Sequence, residues 1–283
     1  MLLLILEDEG MSELHLNKPP LNKLFDKPPE KMYKYTSFRR AFNMLTDNKI
    51  YFSKFSEFND PFDGLMTLDL STDKKKNDFI ASAKLLVTTL GKNWTADEKQ
   101  EQEFVNNQVE VDAFARTTAD ELREESIVGF CCLTKTSQSL PMWAHYADNH
   151  TGCCLIFDFS KYSHHNWDER FPFHHMKRIK YQKNLPTHEL SQIWHYYAHK
   201  SHEWKYEQEW RAVMFKNAYP SSFLTQASNG AGFYELNNFL CGVILGYKME
   251  DAYKEVIKAV ARQRDIYVQQ ASRKLYEYGI EIL

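Results

Sequence analysis

Residues 200–213 read Lys-Ser-His-Glu-Trp-Lys-Tyr-Glu-Gln-Glu-Trp-Arg-Ala-Val and lead directly into an apolar run. The apolar end of this stretch predicts a buried strand, and residues two apart on a strand share a face. Glu207, Glu209 and Arg211 are therefore expected on one face, with Trp210 on the other. Two carboxylates and a guanidinium on one face are costly to bury unless they pair or meet a ligand. The stretch is either an ion-pair ladder beside a core tryptophan or part of a binding site.

The other elements predict an α+β fold with a mixed, mostly antiparallel central sheet, because strands and helices alternate without regular βαβ spacing. Strands are expected at residues 32–36, 50–53, 129–134, 152–159, 178–182, 240–245, 266–270 and 275–282. Helices are expected at residues 38–45, 140–147, 187–202 and 250–262.

The domain organisation follows from changes in composition along the chain. Residues 1–31 carry two proline pairs among polar residues, which predicts an extended N-terminal arm. Residues 32–283 are expected to form a single α+β domain. Inside it, residues 74–125 are rich in Lys, Glu, Gln and Asn with apolar residues at helical spacing, which predicts a helical insertion. Thr95 and Glu98 fit a capping box for one of its helices.

The composition excludes several broad classes of protein. The 283 residues are 43% hydrophobic and 26% charged, which is ordinary for a globular protein, and a net charge of −3 gives no general attraction to nucleic acid. The apolar residues 1–6 are too few to span a membrane, and acidic residues follow them at once, so no signal peptide is expected. We expect a cytoplasmic protein with no membrane partner.

The cysteines and histidines do not predict a metal site. The five cysteines occur as two adjacent pairs, at 131–132 and 153–154, plus Cys241, all in apolar runs, so reduced and buried thiols are expected. Adjacent cysteines on a strand point to opposite faces, which disfavours zinc. Four histidines between residues 163 and 175 are expected in a solvated loop. We therefore expect no metal.

Four segments carry aromatic and polar residues that can gather around one hollow. They are Tyr33-Lys-Tyr-Thr-Ser37, Phe58-Asn-Asp-Pro-Phe-Asp63, Met142-Trp-Ala-His-Tyr-Ala147 and Lys200-x3-Trp204-x2-Glu207-x-Glu209-Trp210-Arg211. A strand with the pattern Gly242-Val-Ile-Leu-Gly246 comes later in the chain.

Together these motifs resemble the bacterial and phage domain-of-unknown-function family numbered twenty-nine seventy-one. The resemblance covers residues 32–270, interrupted by the predicted helical insertion. That family occurs frequently in defence and mobile elements, so the resemblance implies a role in phage–host conflict. It also implies a cognate defence-system protein as a partner.

A weaker resemblance links the chain to ADP-ribosyltransferases, through the Glu207-Gln208-Glu209 pattern. It implies a split sheet and NAD as a substrate, with Tyr33 or Tyr35 and Ser53 or Ser56 in the places of that family's earlier NAD-contacting residues. The chain departs from the pattern, because the strand at residues 33–36 contains neither His nor Arg.

Roles in such a reaction follow from its chemistry. Breaking a nicotinamide–ribose bond builds positive charge on the sugar, which Glu209 would stabilise while Glu207 orients or deprotonates the acceptor. His145 is a third catalytic candidate, and Arg211 is either a pyrophosphate clamp or the ion-pair partner of a glutamate. The residues expected to bind the nucleotide are Tyr33, Tyr35, Arg39, Ser53, Asn59, Asp60, Trp143, Tyr146 and Arg211. For Trp143 the alternative is packing in the core.

Three functions are consistent with these residues. The first is an NAD-consuming ADP-ribosyltransferase-like or glycohydrolase-like enzyme, with a nucleotide substrate and a protein or nucleic-acid acceptor. The second is a non-catalytic sensor or partner-binding module in which the carboxylates and Arg211 form a buried ion network. The third is a phosphodiester-cleaving nuclease that uses carboxylates and a histidine, namely Asp60, Asp63, Glu207, Glu209 and His145.

Overall fold

The chain divides into two compact units, each with its own secondary structure. The computed structural model describes residues 26–89, 95, 97–107, 109–111, 113, 117, 128–160, 173, 175–188, 197–215, 232–236 and 239–283. The first unit is formed by the described parts of Met1–Lys54, Ile127–Ile179 and Glu203–Leu283. The second is formed by those of Phe55–Ser126 and Lys180–His202.

Strands dominate the described residues. In chain order they are β1 Lys31–Thr36, β2 Lys49–Phe52, β3 Thr67–Leu68, β4 Val128–Thr134, β5 Cys153–Asp158, β6 Met176–Arg178, β7 Lys180–Gln182, β8 Thr187–His188, β9 His199–Ser201, β10 Glu209–Phe215, β11 Gly232–Glu235, β12 Leu240–Leu245, β13 Tyr267–Arg273 and β14 Ile280–Ile282. The α-helices are α1 Phe38–Asp47, α2 Asp73–Thr89, α3 Glu98–Asn106, α4 Leu140–Tyr146 and α5 Asp251–Gln263. Two short 3-10 helices lie at Phe55–Glu57 and His202–Glu207.

The first unit is built on one sheet of eight strands, in the order β14-β13-β12-β5-β1-β4-β10-β6. Every neighbouring pair is antiparallel except β12 and β13, which are parallel and connected through α5. The predicted α+β class with a mostly antiparallel central sheet is confirmed. Among the described residues these eight strands follow one continuous hydrogen-bonded order, so this sheet is not split as the ADP-ribosyltransferase resemblance implies, and β11–β2, β3–β8 and β7–β9 form separate two-stranded sheets.

The sheet has two faces, because successive side chains on a strand point in opposite directions. On the first face, buried apolar residues such as Leu133, Leu155 and Trp210 pack with residues of α1 and α5. On the second face, Tyr35 and other buried residues of β1, β5 and β12 pack with Trp143 of α4. The adjacent cysteines follow this division, with Cys153 on the first face and Cys154 on the second.

Local sequence accounts for the helix α1. The Ser37 side chain accepts a hydrogen bond from the Arg40 backbone amide at 3.2 Å, and Asn48 ends the helix in the left-handed region with φ 56°. Arg264, which follows α5, donates to the Leu45 carbonyl at 2.9 Å and to the Asn48 side chain at 2.5 Å. These bonds satisfy groups at the end of α1 and hold the two helices together on the first face.

Two glycines mark a junction where β1, β5 and β12 come close to one another. The Gly246 backbone amide donates to the Gly152 carbonyl at 2.9 Å. A Cβ atom on Gly152 would collide with the Thr36 carbonyl oxygen, and one on Gly246 would collide with that of His150. Because the obstacles are backbone atoms, only glycine fits at either position.

Two predicted elements are wrong. The described ends of the expected helix at residues 187–202 are the short strands β8 and β9, which pair with β3 and β7. The final edge strand begins at Ile280 rather than at Leu275, because the Lys274 amide bonds to the Gly279 carbonyl and closes a turn. Long-range pairing and turn formation override the local patterns at both places.

The second unit contains the predicted helices. α3 lies inside the expected helical segment, and α2 begins one residue before it, at Asp73. The capping box is real but two residues later than predicted: Asp97 and Gln100 exchange backbone-to-side-chain hydrogen bonds at 2.8 and 2.9 Å. Lys84 and Glu101 form an ion pair between the helices.

Several predictions fall partly or wholly outside the described residues. They include most of the N-terminal arm, His164, His165, His174 and the middle of the expected helix at residues 187–202. The described end of the arm lies along β6, where the Asp26 amide donates to the Met176 carbonyl at 2.8 Å. His175 is buried rather than solvated, with an exposed fraction of 8%.

Candidate functional site

The candidate site lies on the second face, where β10 begins beside the end of β4. Arg211 Nε donates to Glu209 Oε1 at 2.7 Å, and Arg211 Nη2 donates to Glu209 Oε2 at 3.3 Å. The Arg211 side chain is 0% exposed and that of Glu209 is 4% exposed. Both carboxylate oxygens of Glu209 therefore bond to one guanidinium in a buried, two-point ion pair.

Glu207 does not lie on the strand, which corrects the prediction for this residue. Gln208 takes a left-handed conformation with φ 45°, so the strand starts at Glu209 and Glu207 ends the preceding 3-10 helix. The backbone carbonyl of Glu207 accepts a hydrogen bond from Thr134 Oγ1 at 2.5 Å. Glu209 lies opposite Thr134 in the sheet register. Thr134 therefore holds the chain on both sides of the bend.

The Glu207 carboxylate faces α4. The Tyr146 hydroxyl donates to Glu207 Oε1 at 2.5 Å, and Glu207 is 3% exposed. Because Tyr146 is the last residue of α4, this bond connects the helix to the 3-10 segment. The predicted meeting of the Trp-x-His-Tyr block with Glu207 is thus present in the structure.

Four aromatic rings form a row of neighbours that begins at Tyr146, and we call His145, Tyr146, Trp204 and Tyr206 the aromatic rim. The His145 ring lies 6.3 Å from both the Tyr146 and the Tyr206 rings, and Trp204 lies 6.0 Å from Tyr206. His145 is exposed and the other three are half-buried. The rim therefore offers ring surface to a ligand next to a buried carboxylate.

Tyr35 and Trp143 serve the core of the second face. The Tyr35 hydroxyl donates to the Thr136 carbonyl at 3.0 Å and accepts from the Ser139 amide at 3.2 Å, and burial raises the pKa of this hydroxyl above its ordinary value. Trp143 is fully buried, meets Tyr35 edge to face at 5.1 Å, and donates from its indole nitrogen to the Ser137 carbonyl. These ring contacts fix α4 against the sheet. Trp143 therefore packs in the core, which was the alternative expected for it.

Two further second-face residues lie beside the ion pair. Cys132 is opposite Arg211 in the register, and burial, followed by the nearby Glu209 carboxylate, raises the pKa of its thiol well above the ordinary value. Tyr33 is half-buried on the same face, opposite Thr134. Both surround the charged pair with weakly polar side chains.

Other predicted binding residues are not brought to this place. Arg39 is exposed on α1, whose buried side packs on the first face. Ser53 forms a bridge with Phe130, four positions along β4 from Thr134. Neither residue lies beside Glu209.

Asn59 and Asp60 belong to the second unit. Asn59 is exposed, whereas Asp60 is 3% exposed and accepts a hydrogen bond from the Phe62 amide at 2.9 Å. In the same unit Asp63 and Lys200 form an ion pair at 3.6 Å, with side chains 0% and 4% exposed. The Asn-Asp-Pro-Phe-Asp motif therefore forms a turn in which only the two aspartates are buried, and Asp63 has its own charge partner.

Sequence reasoning missed Thr134 and Tyr206. The contact of Thr134 with the bend was not visible locally, because 73 residues separate it from Glu207. Tyr206 reaches the rim only because the segment before Gln208 is a 3-10 helix.

Two kinds of feature are absent from the residues that the structure describes. Among these residues, no three His, Cys, Asp or Glu side chains are arranged to hold a metal ion. Within the same part of the chain, no helix is both long and apolar enough to cross a membrane.

Comparison with known proteins gives one match. Residues 142–212 match the model of the family described as protein of unknown function (DUF2971). The matched range contains all four residues of the aromatic rim, together with Glu207, Glu209 and Arg211. No curated protein and no solved structure matches the chain, and nothing in the comparisons supports the resemblance to ADP-ribosyltransferases.

Proposed function

We propose that the chain belongs to the DUF2971 family over most of its length and is a ligand-binding module with the aromatic rim as its site. The observation that carries this proposal is the buried two-point ion pair of Glu209 and Arg211. Because both oxygens of the Glu209 carboxylate bond to a buried guanidinium, the ion pair is a rigid support for the neighbouring rings. The sensor or partner-binding alternative therefore has the best support.

The Glu209–Arg211 ion pair and the aromatic rim have different roles. Removing either member of a buried ion pair leaves an uncompensated charge, so the pair holds the start of β10 in one position. The rim stands next to it and is partly open to solvent, because His145 is exposed and Tyr206 is half-buried. A ligand can reach the rings without breaking the ion pair.

The chemistry of the rim favours a nucleotide-like ligand. Aromatic faces stack on planar rings, and a carboxylate accepts hydrogen bonds from sugar hydroxyls. Tyr146 and Glu207 already share a hydrogen bond of 2.5 Å, so a ribose hydroxyl would join an existing polar pair. This agrees with the expectation of a small-molecule nucleotide and gives the rim a ligand of defined class.

The test is a binding titration of NAD, ADP-ribose and ATP followed by calorimetry. We expect Tyr206→Ala to weaken binding by roughly three- to tenfold, since an aromatic contact contributes about 0.5–1.5 kcal/mol. Tyr247→Ala is the matched control, because Tyr247 is 44% exposed, lies in the turn after β12 and is not part of the rim. If no nucleotide binds, or both variants behave alike, the rim is not a nucleotide site.

An enzyme remains the second candidate, supported by the Tyr146–Glu207 hydrogen bond. A hydroxyl and a carboxylate at 2.5 Å can exchange a proton, and this pair borders the rim. In this version an NAD-consuming transferase or glycohydrolase acts in phage–host conflict, with Glu207 at the reacting sugar and Glu209 held in place by Arg211. The nuclease hypothesis gains no supporting observation.

Nicotinamide release from NAD separates the two candidates. We expect binding without release if the chain is a module, and release that Glu207→Gln abolishes if it is an enzyme. Tyr146→Phe removes the proton-sharing partner and leaves the ring, so it should lower release much more than binding. Release that persists in a folded Glu207→Gln variant contradicts the enzymatic role of this carboxylate.

A further inference from the structure

A groove in the first unit lies beside the parallel strand β13, apart from the aromatic rim. It encloses about 780 Å³ and is bordered by residues of α5, by Ile266–Gln270 and by Leu283. A volume of this size is typical of binding pockets in proteins. The residues that border it have no role in the site already described.

One wall of the groove is an open strand edge. β14 pairs with β13 at Ala271–Arg273, and Gln270 and Leu283 exchange backbone hydrogen bonds of 3.0 and 2.9 Å. Backbone groups two residues apart on a strand point the same way, so the amide and carbonyl of Val268 also point away from β12. No strand in the described part of the chain pairs with this side of Ile266–Gln269.

The opposite edge of the sheet is covered. There Asp26 donates its backbone amide to the Met176 carbonyl, and its carboxylate accepts from the Arg178 amide at 3.0 Å. Exposed edges are usually blocked in this way, because unpaired backbone groups attract other strands. Among the described residues, the β13 edge at Val268 is therefore open to another strand, and unlike the outer side of β14 it borders the groove.

The other wall of the groove is basic. Lys254, Lys258 and Arg262 lie four residues apart on α5, and we call them the basic stripe. Lys254 and Lys258 pair with Asp251 and Glu255 on the same helix, at 2.9 and 2.8 Å. Such solvent-exposed pairs are weak and exchange readily for a better anion.

Acidic residues border the groove only near the ends of the helix. Asp251 lies in the first turn of α5, and Asp265 follows its last turn. The three cations of the basic stripe lie between them. The central part of the groove therefore attracts anionic groups.

The spacing of the two walls matches an extended chain. Residues four apart on a helix are separated by about 6 Å along its axis. Side chains two apart on a strand are separated by about 6.6 Å. A strand added at Val268 would thus place every second side chain opposite successive members of the basic stripe, since α5 packs on the same face as Val268.

We propose that this groove binds an extended acidic peptide segment of a partner protein by strand addition. The backbone of Val268 pairs with the peptide backbone, and acidic side chains at alternate positions contact the basic stripe. The open edge favours a peptide over a nucleic acid, because strand addition requires peptide amides and carbonyls. The proposal is independent of the rim and of its ligand.

The experiment starts from a display library of random dodecapeptides panned on the full chain, with counter-selection on the double variant Lys258→Glu, Arg262→Glu. We expect the enriched peptides to carry Asp or Glu at alternate positions. The leading peptide is then labelled, and its affinity is measured by fluorescence anisotropy. A failure to enrich any acidic peptide overturns the proposal.

Separate variants test how much the basic stripe and the strand edge each contribute to peptide binding. We expect Lys258→Glu to weaken peptide binding by about tenfold or more, as charge reversal at an interface does, while Lys248→Glu, an exposed lysine outside the groove, has little effect. Val268→Pro removes the outward amide and should weaken binding, as should N-methylation of the peptide at alternate amides. Circular dichroism checks that Val268→Pro remains folded, and the N-methylated peptide tests the edge with the unaltered protein.

The outcomes are distinguishable. Equal binding of the N-methylated and unmodified peptides means that charge alone holds the peptide, which overturns strand addition. Tighter binding of a single-stranded oligonucleotide than of any peptide, unaffected by Val268→Pro, makes the groove a nucleic-acid site instead. Nucleotide binding at the rim is unaffected in every case, so failure here leaves that proposal intact.

Discussion

The two faces of the eight-stranded sheet are formed by the same strands and bury different chemistry. On β10, Trp210 belongs to the apolar first face, and its neighbour Arg211 is buried on the second with its partner Glu209. On β4, Leu133 lies on the first face, and Thr134 bonds to the Glu207 carbonyl on the second. The first face is held by packing, whereas the second depends on polar groups that must all find partners.

The largest expected effect comes from breaking the charge pair of the second face. Arg211→Met leaves the Glu209 carboxylate buried without its partner and should lower the free energy of unfolding by about 3–5 kcal/mol. Urea denaturation followed by circular dichroism measures the loss. The double variant Arg211→Met, Glu209→Leu should regain most of it, because an apolar pair needs no partner. A loss below about 1 kcal/mol in the single variant contradicts the importance of this pair.

A packing change on the first face should cost somewhat less. Leu133→Ala removes buried methyl groups and leaves a cavity, so we expect a loss of about 3 kcal/mol in the free energy of unfolding. Leu133→Met keeps the volume and should cost less than about 1.5 kcal/mol. The same denaturation experiment applies. Equal losses in the two variants would mean that the first face does not depend on tight packing.

A smaller effect is expected at the neighbouring position on the second face. Thr134→Val keeps the shape and removes the hydroxyl that bonds to the Glu207 carbonyl, so the unfolding free energy should fall by about 1–2 kcal/mol. Thr134→Ser keeps the donor and serves as the control. If the Thr134→Val variant is as stable as wild type, the bend at Gln208 does not depend on this hydrogen bond.

The smallest effect appears as a dependence on pH. Burial raises the pKa of the Cys153 thiol from 9.0 to about 12. Below pH 9 the thiol is neutral in both states; above it the unfolded chain loses the proton first, so stability falls as pH rises toward 12. Between pH 8.5 and pH 10, wild type should lose about 1 kcal/mol more than Cys153→Ala, by proton linkage. If the unfolding free energies of wild type and Cys153→Ala fall equally as pH rises, burial does not raise the pKa of this thiol.

The sequence allowed the faces to be predicted where alternation alone decides. Glu209 and Arg211 lie on one face of β10 and Trp210 lies on the other, because side chains alternate along any strand. Glu207 was placed wrongly because Gln208 bends the chain, and a glutamine carries no signal for a left-handed conformation. The aromatic rim depends on that bend, so it could not be predicted either.

Other errors come from contacts between distant parts of the chain. The residues that begin and end the expected helix at 187–202 pair with β3 and β7, which a local pattern cannot show. The capping box of α3 was displaced because both Thr95 and Asp97 are suitable caps, and only the backbone start at Glu98 decides between them. Whether the β13 edge at Val268 is open depends on where the pairing with β14 ends. The amino-acid composition does not reveal that position.

The glycine junction has a consequence for recognising relatives of this chain. At Gly152 and Gly246 a side chain would meet backbone carbonyls that cannot rotate away. A homologous sequence with any other residue at either place must route its strands differently. These two glycines are therefore a simple diagnostic: their joint presence in an otherwise divergent sequence indicates that the ends of β1, β5 and β12 converge in the same manner.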